Sequence, residues 1–242
     1  RIFRTGPEDS RQRMTVMSKS LDLTVAVIAK ECLPGRVKTR LSPPLSPEGA
    51  AALAQLSLSR TLDTVRLLPA CNRVLVMDGT PAAADAEGFT VVPQATGGLD
   101  ERLAAICDAA TGPLLIIGMD TPQFSADHVA PLLHDWSADA PGLDAWIGPA
   151  ADGGFWAIAL RCPDGALIRG VPMSTDTTGA LQLARLLARG LSVGTLAELA
   201  DMDHFSDALD IAAAIPGTDF AHAVQDAAQS IQDSLLLTGV QP

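Results

Sequence analysis

The chain has 242 residues, of which 48% are hydrophobic and 19% are charged. This composition supplies enough apolar material for a sizeable core and excludes a disordered chain, and every apolar run is too short to span a membrane. The formal net charge of −11 argues against nucleic acid as a partner, because a polyanion would be repelled.

Apolar runs alternate with helical patterns along the chain, which predicts an α/β fold with a mainly parallel sheet. The predicted strands are residues 23–29, 73–77, 89–92, 114–118, 144–148 and 155–160. The predicted helices are residues 47–68, 99–110, 126–136, 177–189, 206–214 and 218–236. We expect residues 1–20 to be a disordered extension and residues 21–242 to form a single domain with a helical C-terminal end.

The cysteine pattern indicates the redox compartment. The chain has four cysteines, and no two of them form a C-x-x-C pair, which argues against a cysteine zinc site and a disulfide framework. Residues 1–20 lack the apolar stretch of a secretory signal. We therefore expect a cytoplasmic enzyme or binding domain with free thiols.

A basic loop follows the first predicted strand. Residues 1–42 carry nine Lys and Arg against four Asp and Glu, although the rest of the chain is strongly acidic. The turn predicted at Pro34-Gly35 brings backbone N–H groups within reach of an anion, and Lys and Arg suit phosphate oxygens. Since ligands bind at the carboxyl ends of strands in open α/β sheets, the loop predicts a site for a small anion. An ordinary solvated loop is the alternative. The candidate binding residues are Lys30, Gly35, Arg36, Lys38 and Arg40.

The same loop carries a family resemblance. The pattern AK-x₃-PG-x-VKTRL resembles a bacterial family of uncharacterised GT-A-like transferases, described as radical-SAM/selenodomain-associated transferases or predicted glycosyltransferases. That family is related to the nucleotide-diphospho-sugar transferase superfamily, and the KTRL portion is also similar to the 2-phospholactate guanylyltransferases. Further motifs follow in the family's order over about residues 23–212. They are Gly98–Leu103, Ile117–Pro122, Gly148–Phe155 and Asp201–Asp203.

The resemblance implies a GT-A, Rossmann-like fold and a nucleotide or nucleotide sugar as ligand. The chain departs from the family pattern at three places, which loosens what can be inferred about the substrate more than about the fold. Cys32 stands where the family usually has Pro, Asp100 where Gly is common, and Phe155-Trp156 where Tyr is common.

Two aspartates are candidate metal ligands. Asp120 directly follows the predicted strand 114–118, and a carboxylate at that edge can bind Mg²⁺ or Mn²⁺ beside a diphosphate. The resemblance implies that Asp120 is a metal ligand and that Asp203 is the second one. If residues 201–203 are extended, the side chains of Asp201 and Asp203 point to the same side of the chain. The alternatives are a turn or capping role for Asp120 and an N-cap role for Asp203.

Other residues are candidates for binding the acceptor or the nucleotide donor. Asp152-Gly153-Gly154 lies between two predicted strands, where Asp-Gly is a hairpin signal. On the functional alternative, the glycines admit a sugar or acceptor and Asp152 contacts the acceptor or acts as general base. Arg102 is the candidate for holding the base or phosphate of the nucleotide. Met173–Asp176 is a candidate acceptor loop, although capping of the next helix by Asp176 or Thr177 is the favoured interpretation.

The sequence therefore favours a metal-dependent transferase that uses a nucleotide-activated donor and a small-molecule acceptor. The cation would neutralise the leaving diphosphate, and Lys38 and Arg40 would assist it. One alternative is a nucleotidyltransferase that releases pyrophosphate after in-line attack on the α-phosphorus. Another is a nucleotide-binding subunit without catalysis.

Overall fold

The computed structural model describes residues 21–238. The predicted extension, residues 1–20, lies outside this range. The described part contains seven strands: β1 Thr24–Lys30, β2 Asn72–Asp78, β3 Thr90–Pro93, β4 Leu114–Gly118, β5 Ala145–Pro149, β6 Phe155–Leu160 and β7 Val193–Thr195. It also contains seven α-helices: α1 Pro47–Leu67, α2 Ala83–Ala86, α3 Leu99–Ala109, α4 Ala126–Trp136, α5 Thr178–Ala188, α6 Phe205–Ala214 and α7 Asp219–Thr238.

All seven strands form one mixed sheet in the order β3-β2-β1-β4-β6-β5-β7. Only β6 runs antiparallel to its neighbours, β4 and β5, whereas the other pairs in the described chain are parallel. The predicted α/β fold with a mostly parallel sheet is therefore confirmed. This topology brings the carboxyl ends of β1, β4 and β5 and the amino end of β6 to one edge of the sheet.

The sheet is buried on both faces, which explains why its central strands are apolar throughout. On one face, Val25 and Val27 belong to a core cluster that includes residues of α1 and α4. On the other face, Ala26 belongs to a cluster with Leu103 of α3 and Leu186 of α5. Successive side chains of β1 thus point to opposite faces of the sheet and pack against the helices on each face.

A third cluster attaches the C-terminal helices to the rest of the chain. Phe220 of α7 and Ile211 of α6 pack in one cluster with Leu53 of α1. The same cluster buries Leu41, the last residue of a single 3₁₀ turn at the end of the basic loop, and Met202, which lies between Asp201 and Asp203. Packing therefore holds the basic loop and the 201–203 segment in place beside each other. No described helix is both long and apolar enough to cross a membrane.

The β5–β6 hairpin turn predicted from Asp-Gly is confirmed. Ala150 N donates a hydrogen bond to Gly154 O at 3.1 Å, and Gly153 has a left-handed φ of +89°. A Cβ atom at Gly153 would lie 2.0 Å from the carbonyl oxygen of Asp176, and Gly179 N donates to Gly153 O at 2.8 Å. The close approach that these glycines allow is thus with the backbone at the start of α5.

Replacement of Gly153 by alanine should destabilise the protein by more than about 2 kcal/mol, because left-handed strain and a backbone clash add. The matched control is Gly170→Ala, since Gly170 has a φ of +79° and open space around its Cα. The control should lose only about 1 kcal/mol. Urea unfolding followed by tryptophan fluorescence measures both, and equal losses would contradict the packing argument.

Candidate active site

A cavity of about 1040 Å³ lies at the carboxyl edge of the sheet, where α/β folds place their ligands. Its walls come from the ends of β1 and β4, the start of β6 and the first turns of α3 and α5. A second cavity of about 240 Å³ lies under the basic loop. The two cavities share lining residues, among them Asp120, Asp203 and Arg40.

The ammonium group of Lys38 lies between the two predicted metal ligands, Asp120 and Asp203. Its Nζ atom is 2.9 Å from Asp203 Oδ1 and 3.1 Å from Asp120 Oδ1. The Lys38 side chain is only 8% exposed. Arg40 approaches Asp203 from the solvent side, with Nη1 at 3.2 Å from Oδ2. Four residues predicted separately therefore form one ionic cluster.

Backbone contacts fix the geometry of this cluster. Met202 N donates a hydrogen bond to Asp120 O at 3.0 Å, which joins the two carboxylate segments. Ser57 of α1 donates from Oγ to Met119 O at 2.6 Å. Lys38 itself has a left-handed backbone, with φ 46° and ψ 42°, a conformation that costs a non-glycine residue free energy. The 3₁₀ turn that follows Lys38 ends at Leu41, which is fully buried and fixes that end of the turn.

The charges of the cluster support one another. Burial lowers the pKa of Lys38, but the Asp120 and Asp203 carboxylates outweigh it and raise the pKa above its ordinary value. Burial likewise raises the pKa of Asp203, but the charge and hydrogen bond of Lys38, with Arg40, bring it below its ordinary value. Lys38 and Asp203 are therefore both ionised at neutral pH.

Asp201 is a site residue that the sequence did not single out as functional. It lines the main cavity. Burial raises its pKa to about 7, and the nearby carboxylates Asp120 and Asp152 add to the rise. The alternation of Asp201 and Asp203 was the available signal, but no pattern in the sequence predicts how deeply one of them is buried.

The side chains at the site can be compared with the ligands that a divalent metal ion prefers. Asp120 and Asp203 supply hard carboxylate oxygens, which suit Mg²⁺ or Mn²⁺. Among residues 21–238, no group of three or more His, Cys, Asp or Glu side chains is arranged to hold a metal. Mg²⁺ usually takes one or two carboxylates and completes its shell with waters and substrate phosphates. The pair therefore fits a cation that a phosphorylated ligand helps to coordinate.

The remaining cations of the basic loop lie around the two cavities. Lys30 lines both of them, and Arg36 lines the smaller one. Neither side chain forms a hydrogen bond or ion pair with another described residue. Gly35, with a φ of +73°, makes the predicted turn but lines neither cavity. Among the described residues, these two positive charges have no partner and are therefore available to a ligand.

Arg102 lines the main cavity but is already engaged. Its guanidinium donates to Gly97 O at 3.0 Å, Gln94 Oε1 at 2.9 Å and Asp78 Oδ2 at 3.3 Å. Gln94 in turn donates from Nε2 to Ala29 O at 2.7 Å, at the end of β1. Arg102 therefore braces the loop before α3, and Gln94 is a lining residue that the sequence did not indicate.

The far wall of the main cavity is acidic and rich in hydroxyl groups. Asp152 is exposed there, and its Oδ1 accepts a hydrogen bond from Gly154 N at 2.8 Å. Ser174, Thr175 and Asp176 line the same wall. No Lys or Arg belongs to the lining between residues 151 and 178, within the described chain. The cations gather instead on the β1 and α3 side.

A family model described as "Uncharacterized protein conserved in bacteria (DUF2064)" matches residues 61–175. This match covers less than half of the chain. It includes Arg102, Asp120 and Asp152, and it excludes Lys38 and Asp203. Among curated proteins, none matches the chain.

Solved structures match the fold over most of the chain. A candidate nucleotide-diphospho-sugar transferase from Desulfovibrio desulfuricans G20 is 20% identical, with a TM-score of 0.76 over 88% of this chain and 97% of that one. CMP:2-keto-3-deoxy-manno-octonic acid synthetase, complexed with CTP, is 14% identical, with a TM-score of 0.52 over 80% and 98%. At these identities the likeness concerns the fold alone. The GT-A-like, nucleotide-diphospho-sugar transferase arrangement expected from the sequence is confirmed.

Replacement of Asp201 by asparagine should change the pH dependence of stability in metal-free protein. Because its folded pKa is raised to about 7, the native state binds more protons than the unfolded state between about pH 4 and 7. Stability is therefore lost as pH rises through that window. At pH 8 the variant should be more stable than the parent by on the order of 2–4 kcal/mol, and the difference should vanish near pH 4.

Urea unfolding in EDTA at both pH values measures the Asp201 effect. Asp176→Asn is the control, because it removes an exposed carboxylate from the same cavity. The control should shift stability by less than about 0.5 kcal/mol. A pH-independent difference for Asp201→Asn would show that its carboxylate is not desolvated in the folded protein.

Proposed function

We propose that the chain is a metal-dependent, glycosyltransferase-like enzyme that transfers a sugar from a nucleotide diphosphate donor to a small acceptor. The observation that carries the proposal is the cluster of Lys38, Asp120 and Asp203, placed at the ligand edge of a nucleotide-diphospho-sugar transferase fold. The family resemblance of the sequence motifs supports it.

The donor diphosphate would bind on the basic side of the cavity. Lys30 and Arg36 carry charges that no other described residue neutralises, and Arg40 is largely exposed. Lys38 would contact the leaving diphosphate and stabilise the charge that develops on it. The base would lie against the loop that Arg102 braces, between Gln94 and the start of α3.

Asp120 and Asp203 would hold Mg²⁺ or Mn²⁺ together with the donor's phosphate oxygens. The cation would supply Lewis-acid neutralisation of the leaving nucleoside diphosphate. The chain's own contribution is to fix both carboxylates on one side of the diphosphate, through the buried residues that flank them. Coordination by two carboxylates and phosphates follows the usual chemistry of Mg²⁺ in nucleotide sites.

The acceptor would bind on the acidic wall. Asp152 would accept the proton of an acceptor hydroxyl as that oxygen bonds to the anomeric carbon and the bond to the diphosphate oxygen breaks. Its second carboxylate oxygen, Oδ2, makes no hydrogen bond with another described residue. Hydroxyl-rich acceptors suit Ser174 and Thr175, whereas a phosphorylated acceptor would meet only negative charge on this wall.

Nucleotidyl transfer is the second candidate. It is favoured by the fold similarity to a synthetase solved with CTP and by the KTRL resemblance to guanylyltransferases. An acceptor oxygen would then attack the α-phosphorus of a nucleoside triphosphate, and pyrophosphate would leave. The acidic wall weighs against it when the acceptor carries a phosphate or carboxylate. A nucleotide-binding subunit without turnover is the third candidate.

One experiment separates the three. The protein is incubated with each NDP-sugar and each NTP, with and without Mn²⁺, and a mixture of neutral sugars and polyols is added as acceptor. Release of nucleoside diphosphate supports glycosyl transfer, and release of pyrophosphate supports nucleotidyl transfer. Metal-dependent stabilisation by a nucleotide without any turnover supports the binding subunit.

Asp120→Asn and Asp203→Asn should each remove Mn²⁺-dependent nucleotide binding. Each substitution keeps the shape of the side chain and removes one of the two negative charges that together bind the shared cation. The double variant should therefore be little worse than either single one. Calorimetric titration of Mn²⁺ in the presence of the nucleotide found above measures this, with Asp176→Asn as the control that keeps affinity. Additive losses would assign the two aspartates to separate roles.

A further inference from the structure

The Lys38 ammonium occupies the space that a cation bound by both aspartates would need. It contacts the Oδ1 atoms of Asp120 and Asp203 at 3.1 and 2.9 Å. These are oxygens that a divalent ion would use. The Lys38 side chain is 8% exposed, so water does not screen it as it would a surface lysine.

An ammonium group and a divalent ion cannot share this position. An ion that contacts both carboxylates would lie next to Nζ, and like charges at such a distance repel strongly in a partly buried site. Lys38 and Arg40 also already neutralise the two carboxylates. A free metal ion therefore gains little from the pair while Lys38 stays in place.

The neighbouring cavity offers Lys38 another partner. It measures about 240 Å³, several times the roughly 30 Å³ that one water molecule fills in the liquid. Four cations, Lys30, Arg36, Lys38 and Arg40, line it together with the two carboxylates Asp120 and Asp203. The backbone N–H groups of Val37, Lys38, Thr39 and Arg40 have no acceptor among the described residues. Phosphate oxygens in this cavity would face donors on several sides and lie beside the Lys38 ammonium.

We infer that Lys38 is an internal counter-ion that keeps the divalent-cation site closed until the phosphates of a nucleotide draw its ammonium away. This inference rests on the proposed function, because the nucleotide and the cation are the donor and metal proposed there. Asp120 and Asp203 then become free to hold the cation beside the diphosphate. Nucleotide and metal therefore bind together, and each raises the affinity for the other by the same factor.

The test is a titration of Mn²⁺ followed by electron paramagnetic resonance of the free ion. It is run on the parent, Lys38→Met and Arg36→Met, with no nucleotide and with UDP, GDP, CDP or ADP, against nucleotide-only blanks. In the parent, at least one diphosphate should tighten Mn²⁺ binding by about tenfold or more. Lys38→Met should bind Mn²⁺ alone about tenfold more tightly than the parent does, and a diphosphate should tighten its Mn²⁺ binding by a smaller factor than in the parent, because only the coordination by phosphate oxygens remains to be gained.

Arg36→Met controls for the general loss of positive charge in the loop, and it should bind Mn²⁺ alone as weakly as the parent. If the parent binds Mn²⁺ alone as tightly as Lys38→Met, or if Arg36→Met gains as much, the inference is wrong while the proposed function stands. If no protein binds Mn²⁺ under any condition, the proposed metal dependence fails, and the inference fails with it. Lys38→Gln replaces Lys38→Met if the methionine variant does not fold.

Discussion

The ion pair of Lys38 with Asp120 and Asp203 is the interaction on which the candidate site depends. It joins three segments: the loop after β1, the end of β4 and the stretch before α6. A partly buried charge cluster of this kind contributes little net stability, because desolvation offsets much of the attraction. Hydrophobic packing must therefore bring the charges together, and Leu41 and Met202 do so from within one core cluster.

Because hydrophobic packing positions the ion pair, the C-terminal helices α6 and α7 contribute to the candidate site. Phe220 and Val224 of α7 are fully buried in the cluster that holds Leu41 and Met202. Burial of side chains of this size contributes about 1.5–3 kcal/mol each. Asp207 of α6 lines the main cavity, whereas no described residue of α7 lines either cavity. Helix α7 nevertheless stabilises the segments that carry Lys38 and Asp203. A loss of packing in α7 would thus reach the site through the backbone.

The sequence predicted most of the fold, because apolar runs mark the central strands and helical patterns mark the long helices. Strand β7 was missed, since it has only three residues and its Gly194 is required by a tertiary contact, the Trp146 ring. Within the site, motif order predicted the candidates that converge, including Lys38 and Asp203. The bridge between them and the burial of Asp201 depend on side-chain packing, which sequence spacing does not encode.

The arrangement of charge across the cavity follows from the order of the strands. Lys30 comes from the end of β1, whereas Asp152 comes from the β5–β6 turn on the other side of β4. The antiparallel β6 makes this possible, because it places a hairpin turn at the edge where a parallel strand would place its carboxyl end. Under the proposed function, one half of the cavity would bind the donor's phosphates, and the other half would bind the acceptor hydroxyl. Asp120, at the end of β4, lies between the two halves, where the donor's reactive bond would meet the acceptor.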